Sequence, residues 1–257
     1  MLGKRRLVGY CGYPGARGQG RLGIGSLDDR VAEIEKRYAN SYGKGRPILP
    51  TLELIATTVH PVSGRDGTFR TRTDPKIIER HVKAAEHHES YLLLNIQPGR
   101  ANFLDEVKAL EPWLVRPDVG VALDPEWAVK KGQVPGRVFG STSGKELDGV
   151  ARWLSDLVAK HHLPQKVMVY HQLHLDIVAK ESALREHPGV ALIKSVDGIG
   201  SRSAKTDTWT KLAKAAPDHV AMGFKLFYDE DTAGGHDLMS PSQVLALRPR
   251  PDYVMYE

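Results

Sequence analysis

A chain of 257 residues with 41% hydrophobic and 26% charged residues can bury a large core, which excludes an intrinsically disordered protein. Its 36 Lys and Arg against 31 Asp and Glu give a formal net charge of +5, mixed along the chain rather than blocked, which argues against nucleic acid as a partner and fits mild attraction to anionic polymers such as cell-wall glycans. The single cysteine, Cys11, excludes an intrachain disulfide and a cysteine metal cluster, and no apolar run approaches the ~18 residues of a membrane span.

One unit recurs along the chain: an apolar run, a loop, an amphipathic helix and a tight turn. The first run, residues 7–10, leads through a glycine-rich loop to a helical pattern over 26–41 with Leu27, Val31, Ile34 and Tyr38 on one face. Residues 50–57 follow, then a long loop to residue 73, and Asp74-Pro75 opens a helix over 74–89 as N-cap and first-turn proline. The run 91–96 precedes a helix over 103–115. The run 119–123 leads through another long loop into a helix over 143–162, where Leu147, Val150, Ala151, Leu154, Leu157 and Val158 repeat at helical spacing. Runs at 167–171, 190–196 and 220–227 alternate with helices expected over 175–186, 204–215 and 240–247, the last behind the cap signal Ser240-Pro241. The run 253–256 ends the series.

Strict alternation of strand and helix predicts a parallel sheet with helical crossovers, and several runs are continuously apolar, as strands buried on both faces are. Eight strands and seven helices over 1–257 fit one α/β domain, a TIM-type (β/α)8 barrel without its last helix. A doubly wound open sheet is the alternative. Turns from helix to strand are short and carry Pro117, Pro164, Pro188, Pro217 and Pro251, whereas most strand-to-helix loops are long. That asymmetry places a functional site at the C-terminal ends of the strands.

The strongest local signal is Leu123-Asp124-Pro125-Glu126-Trp127, at the end of the fourth run. Asp124 and Glu126 are two apart, so on extended backbone both side chains leave one face. Two adjacent carboxyls push each other's pKa apart and provide a proton donor and an anion, the division that glycoside hydrolysis requires, and Trp127 can stack on a sugar ring. A surface turn with two solvated acids is the plainer account of the same residues. The other strand ends are polar as well: Glu53, Asn95 and Gln97, His171 and Gln172, Asp197, Lys225 with Tyr228 and Asp229, and Glu257. A polar group at nearly every strand end marks a pocket rather than a packing core.

Two competing signals are weaker. Gly18-Gln19-Gly20-Arg21-Leu22-Gly23 matches G-x-G-x-x-G, but Pro14 and its neighbours separate it from the strand end, and no acid lies ~20 residues on; a flexible loop is the expected reading, with no nucleotide cofactor. His60, His171, Asp124, Glu126 and Asp197 lack any recognised metal-ligand spacing, so no metal is assigned. There is no G-x-S-x-G elbow for serine acyl transfer.

At Asp124-Pro125-Glu126 the sequence resembles the barrel glycoside hydrolases with a D-x-E pair on strand four, namely Chalaropsis-type lysozymes and bacterial-type barrel chitinases. The resemblance implies Glu126 as proton donor and Asp124 as its partner. The further aspartates of the chitinase strand are replaced by Val119, Gly120, Val121 and Ala122, and Val8-Gly9-Tyr10 lacks the aspartate of the lysozymes. The longer series from Tyr10-Cys11-Gly12 to Gly223-Phe224-Lys225-Leu226-Phe227 is similar to uncharacterised exported proteins of actinobacteria, which implies an envelope setting. Met1–Arg6 runs into a strand rather than a signal core, so the expected location is secreted or envelope with the leader absent, or else the cytoplasm.

The expectation is a hydrolase of a cell-envelope polysaccharide or small glycan. Glu126, Asp124 and Asp197 do the chemistry, and the remaining polar strand ends and Trp127 hold the substrate. The alternatives are a barrel that binds glycan without turnover and a nucleotide-handling enzyme built on the first loop. The oligomeric state is left open.

Overall fold

The computed structural model describes residues 2–257. Its eight long strands are β1 (Arg6–Gly12), β2 (Ile48–Val59), β3 (Tyr91–Ile96), β4 (Val119–Leu123), β5 (Lys166–Gln172), β6 (Val190–Val196), β7 (Ala221–Leu226) and β8 (Tyr253–Tyr256). Each pairs in parallel with the next, and β8 closes on β1 through Leu7↔Tyr253 to Tyr10↔Tyr256. The result is a closed eight-stranded parallel barrel consistent with the TIM type. The open-sheet alternative is excluded by that closure.

Helices α1 (Leu27–Tyr42), α2 (Pro75–His87), α3 (Phe103–Ala109), α4 (Glu111–Leu114), α5 (Gly144–His161), α6 (Arg202–Ala215) and α7 (Pro241–Leu245) lie between the strands. The expected caps at Asp74 and Ser240 form, their side chains accepting from the Lys76 and Gln243 backbone N–H groups, and Ser26 caps α1 in the same way through the Asp29 N–H. Among the described residues no helix is long and apolar enough to cross a membrane.

Three expectations are corrected. Residues 175–186 form no α-helix; two 3-10 turns flank Val178–Ala179, which pairs with Thr142–Ser143. The cause is tertiary: Glu181 turns inward to Lys194 Nζ at 2.8 Å and the Tyr170 hydroxyl at 2.5 Å, and Lys180 takes a left-handed φ of 50°. The helix expected over 103–115 divides at Leu110, where Pro112 has no N–H to continue the ladder. The loop after β2 contains a short strand, Arg70–Arg72, antiparallel to the end of β2. That hairpin is held down by Glu106, which takes Arg70 and Arg72, and by Arg100 stacked 4.4 Å over Phe69.

The barrel has two apolar cores, one between strands and helices and one inside. Inside, Tyr91 and Tyr253 are almost wholly buried. Glycines on the neighbouring strands make room for them. A Cβ at Gly223 would lie 2.6 Å from Tyr253 Cδ1, and one at Gly120 would lie 2.9 Å from the Tyr91 hydroxyl. That hydroxyl accepts the Val167 backbone N–H at 3.0 Å, just below the point where the β4–β5 pairing begins. Gly120→Ala should therefore overpack the barrel, costing about 1–3 kcal/mol, and lower Tm by roughly 2–10 °C. Gly149→Ala on α5, where a Cβ meets nothing within 4 Å, is the control and should hold or raise Tm; calorimetry of both checks the account.

Candidate functional site

Side chains alternate along a strand, so the residues two positions beyond the inner apolar layer also face the barrel axis. Leu93, Ala122, Val169 and Met255 belong to the inner core. Two residues further on stand Asn95, Asp124, His171 and Glu257. Glu53 shares the parity of Leu49 and Ile55, and Asp197 that of Ile193. This is how one polar layer comes to sit on an apolar one at the C-terminal end of the barrel.

The layer is a connected network. His171 is fully buried; its Nδ1 lies 2.7 Å from Asp197 Oδ2, and its Nε2 lies 3.2 Å from Glu53 Oε1 and 3.7 Å from Asp124 Oδ1. The Nε2 contacts are close but lack hydrogen-bond geometry. Asn95 donates from Nδ2 to Glu53 Oε1 at 3.0 Å and to Asp124 Oδ1 at 3.1 Å. Lys225 Nζ lies 2.6 Å from Glu257 Oε2 and 3.7 Å from Asp197 Oδ2. Ser195 donates to Asp197 Oδ1 at 2.7 Å, and the Tyr253 hydroxyl donates to Glu53 Oε2.

Burial pushes up the carboxyl pKa of Glu53, Asp124, Glu126 and Asp197, and the local charges decide which of these acids ionise. For Glu53 burial is outweighed by His171, Lys225 and the Tyr253 hydrogen bond, and the pKa falls to about 2. For Asp197 burial is likewise outweighed by His171, Lys225 and Ser195, and the shift is downward. His171 loses stability as a cation through burial but gains more from Asp197, Glu53 and Asp124, so its pKa lies well above the ordinary value. Asp124 is raised to about 6 by burial, with His171 and Lys225 opposing and Glu53 and Asp197 reinforcing. Glu126 is raised well above the ordinary range by burial, then by Asp124 and Asp197. The layer thus holds two firm anions, an imidazolium, an acid that titrates near neutrality and a carboxyl that keeps its proton.

Asp124 and Glu126 do not converge by strand alternation, as the sequence suggested. The chain leaves extended geometry at Asp124, and Pro125–Trp127 is a 3-10 turn. The turn buries Glu126 Oε2 without a partner. Glu126 and Trp127 line a cavity of about 220 Å³ with Gly136, Arg137, Val138 and Phe139.

Other predicted positions fall elsewhere. Gln97 accepts the Val59 backbone N–H and ties down the end of β2. Gln172 is one residue past His171, on the opposite strand face, and donates to the His174 carbonyl. Tyr228 stacks on Tyr256 and hydrogen-bonds the Tyr38 hydroxyl at 2.9 Å. With Asp229 and Glu257 it borders a second cleft of about 170 Å³, reached also by Arg17, Gly18 and Arg21. Glu257 alone links that cleft to the network, through Lys225.

The G-x-G-x-x-G stretch forms tight 3-10 turns packed on the barrel mouth, where a Cβ at Gly20 would lie 2.9 Å from Glu257 Cγ. Gly20 and Leu22 are buried in it, Arg17 and Gly18 are exposed, and α1 starts only at Leu27. His60 bonds Thr71 in the hairpin, outside the network, and among the described residues no group of three or more His, Cys, Asp or Glu is arranged to hold a metal ion. Tyr253 and Ser195 escaped the sequence reading. Their signal was parity: 253 and 255 share the face of 257, and 195 that of 197.

No protein-family model matches this sequence, and no curated protein matches it.

The folded pKa of Glu53 is depressed, so its network stabilises the fold above the ordinary 4.5 and loses that contribution as pH falls toward about 2. His171 has the opposite sign: its contribution is full below the ordinary 6.5 and fades only as pH rises through the raised folded value. NMR titration should find the His171 imidazole still protonated at neutral pH. Asp197→Asn should bring its titration down toward the ordinary value; a wild-type ring that titrates at its ordinary value would contradict this electrostatic account.

Proposed function

We propose that the protein is a glycoside hydrolase acting on a cell-envelope polysaccharide, with its site at the C-terminal face of a (β/α)8 barrel. The observation that carries the reading is Glu126: a carboxyl lining a cavity at the edge of the charged layer, with one buried oxygen unpartnered and its pKa pushed up by burial, Asp124 and Asp197. Glycosidic cleavage needs a proton donor of this kind next to an anion. In this reading Glu126 gives its proton to the glycosidic oxygen as the bond to the anomeric carbon breaks. Asp124, the least committed acid of the layer, faces the positive charge that develops on the sugar, and a water then adds to the anomeric carbon and gives up a proton to the Glu126 carboxylate. Asp197, engaged by His171, Ser195 and Lys225, sets the field around Asp124 rather than reacting. Trp127 and Phe139 supply apolar faces for a ring, and Lys225 with Glu257 reaches the second cleft, where hydroxyls or an acidic substituent would lie. The envelope setting and the secreted location rest on the resemblance to exported proteins.

Binding of a glycan without turnover is the second reading. It draws on Glu53 and Asp197, both so fully engaged by cations and hydrogen bonds that neither is free to react.

Release of reducing sugar from purified envelope polysaccharides tests the proposal. The rate should rise with pH through about 6 as Asp124 ionises and fall at higher pH as Glu126 loses its proton. Glu126→Gln should abolish release and leave Tm nearly unchanged, because the replacement is neutral and of the same shape. Full activity in that variant removes Glu126 as the acid. No release by the wild type from any polysaccharide, together with saturable binding to one of them, would favour the second reading.

A further inference from the structure

Five large apolar side chains are exposed among the described residues: Val62, Val138, Phe139, Leu175 and Ile199. Scattered exposed apolar residues are ordinary, but their placement here is not random. Val62 lies in the loop after β2, Val138 and Phe139 after β4, Leu175 after β5 and Ile199 after β6. All five stand at the C-terminal end of the barrel, in the loops after β2, β4, β5 and β6. None is on the helical shell or at the opposite end.

Exposed cations accompany them. Arg65 is three residues from Val62, Lys130, Lys131 and Arg137 share the loop of Phe139, and Arg202 follows Ile199. Of the exposed acids in these loops, Asp66 is bonded to Arg70 and Thr68, and Asp176 lies 3.2 Å from His174. Across the mouth the loop after β7 carries the opposite sign, with Asp229, Glu230 and Asp237 exposed. The remaining exposed acids of the mouth loops thus gather in the loop after β7, where Arg17 and Arg21 of the first loop face them across the second cleft, and the apolar arc carries exposed cations of its own.

A folded protein partner is recognised through a contiguous, desolvated apolar patch. Here the apolar groups sit singly on separate loops around a polar well. A bilayer accepts such an arrangement: isolated tips enter the headgroup region while neighbouring cations meet the lipid phosphates. We propose that the β2–β6 arc docks on an anionic lipid surface, with Val62, Leu175 and Ile199 as the inserted tips. Docking turns the site toward molecules anchored in that surface. The inference stands whether or not the site hydrolyses glycans.

The test is co-sedimentation of the whole chain with sucrose-loaded vesicles, of phosphatidylcholine alone or mixed with phosphatidylglycerol. The wild type should pellet with the mixed vesicles, and added salt should release it. Val62→Asp with Ile199→Asp should reduce the bound fraction about tenfold or more, and Lys130→Glu with Lys131→Glu should do the same, because each pair removes an inserted or lipid-facing contact. All four side chains are exposed, so Tm should not change in either variant. Failure of the wild type to pellet with either vesicle overturns the proposal, as does equal binding to both compositions or undiminished binding by the Val62/Ile199 variant. A dimer in light scattering that this variant dissolves, with no vesicle binding, would assign the arc to a second copy of the chain and also overturn it.

Discussion

The buried imidazolium of His171 is the constraint on which the polar layer depends. A cation wholly removed from water is tolerable only when its lost hydration is replaced by opposite charge at contact distance. Asp197 and Glu53 supply that from two sides of the ring. Each anion then needs partners of its own, and Asn95, Tyr253, Ser195 and Lys225 provide them. Removing one member leaves an uncompensated charge in the barrel, so the layer is cooperative.

That commitment divides the acids. Glu53 and Asp197 are bound into ion pairs and are ionised because of it. Asp124 shares only one hydrogen of Asn95 and a more distant approach to His171. Glu126, set on a turn above, receives the repulsion of both aspartates without a cation at contact distance. The gradient from fixed anion to retained proton runs upward out of the barrel, toward the loops.

Much of this was legible in the residues. The apolar runs located all eight strands, because a parallel strand buried on both faces has no polar alternation to blur its limits. Glu53, Asn95, Asp124, His171, Asp197, Lys225 and Glu257 were identifiable as polar residues ending those runs. What failed was non-local. Residues 175–186 have a plausible helical pattern, but Glu181 is claimed by Lys194 on the next strand and Tyr170 on the preceding one. Gln172 resembles its neighbour in chemistry and differs only in the side of the backbone it occupies, whereas Gln97 shares the parity of Asn95 but lies past the strand end, where its side chain turns to the Val59 N–H. Tyr253 was concealed in an apolar run because an aromatic ring reads as packing, although its hydroxyl belongs to the polar layer.

The two interior tyrosines have a consequence for traffic. With Tyr91 and Tyr253 filling the axis beneath the charges, and with Leu7, Leu49 and Val167 packed alongside, the barrel is a blind well. Whatever enters must leave through the opening it came in by. A long polymer could not be threaded along the axis; it could only lie across the rim, offering the barrel one short stretch at a time.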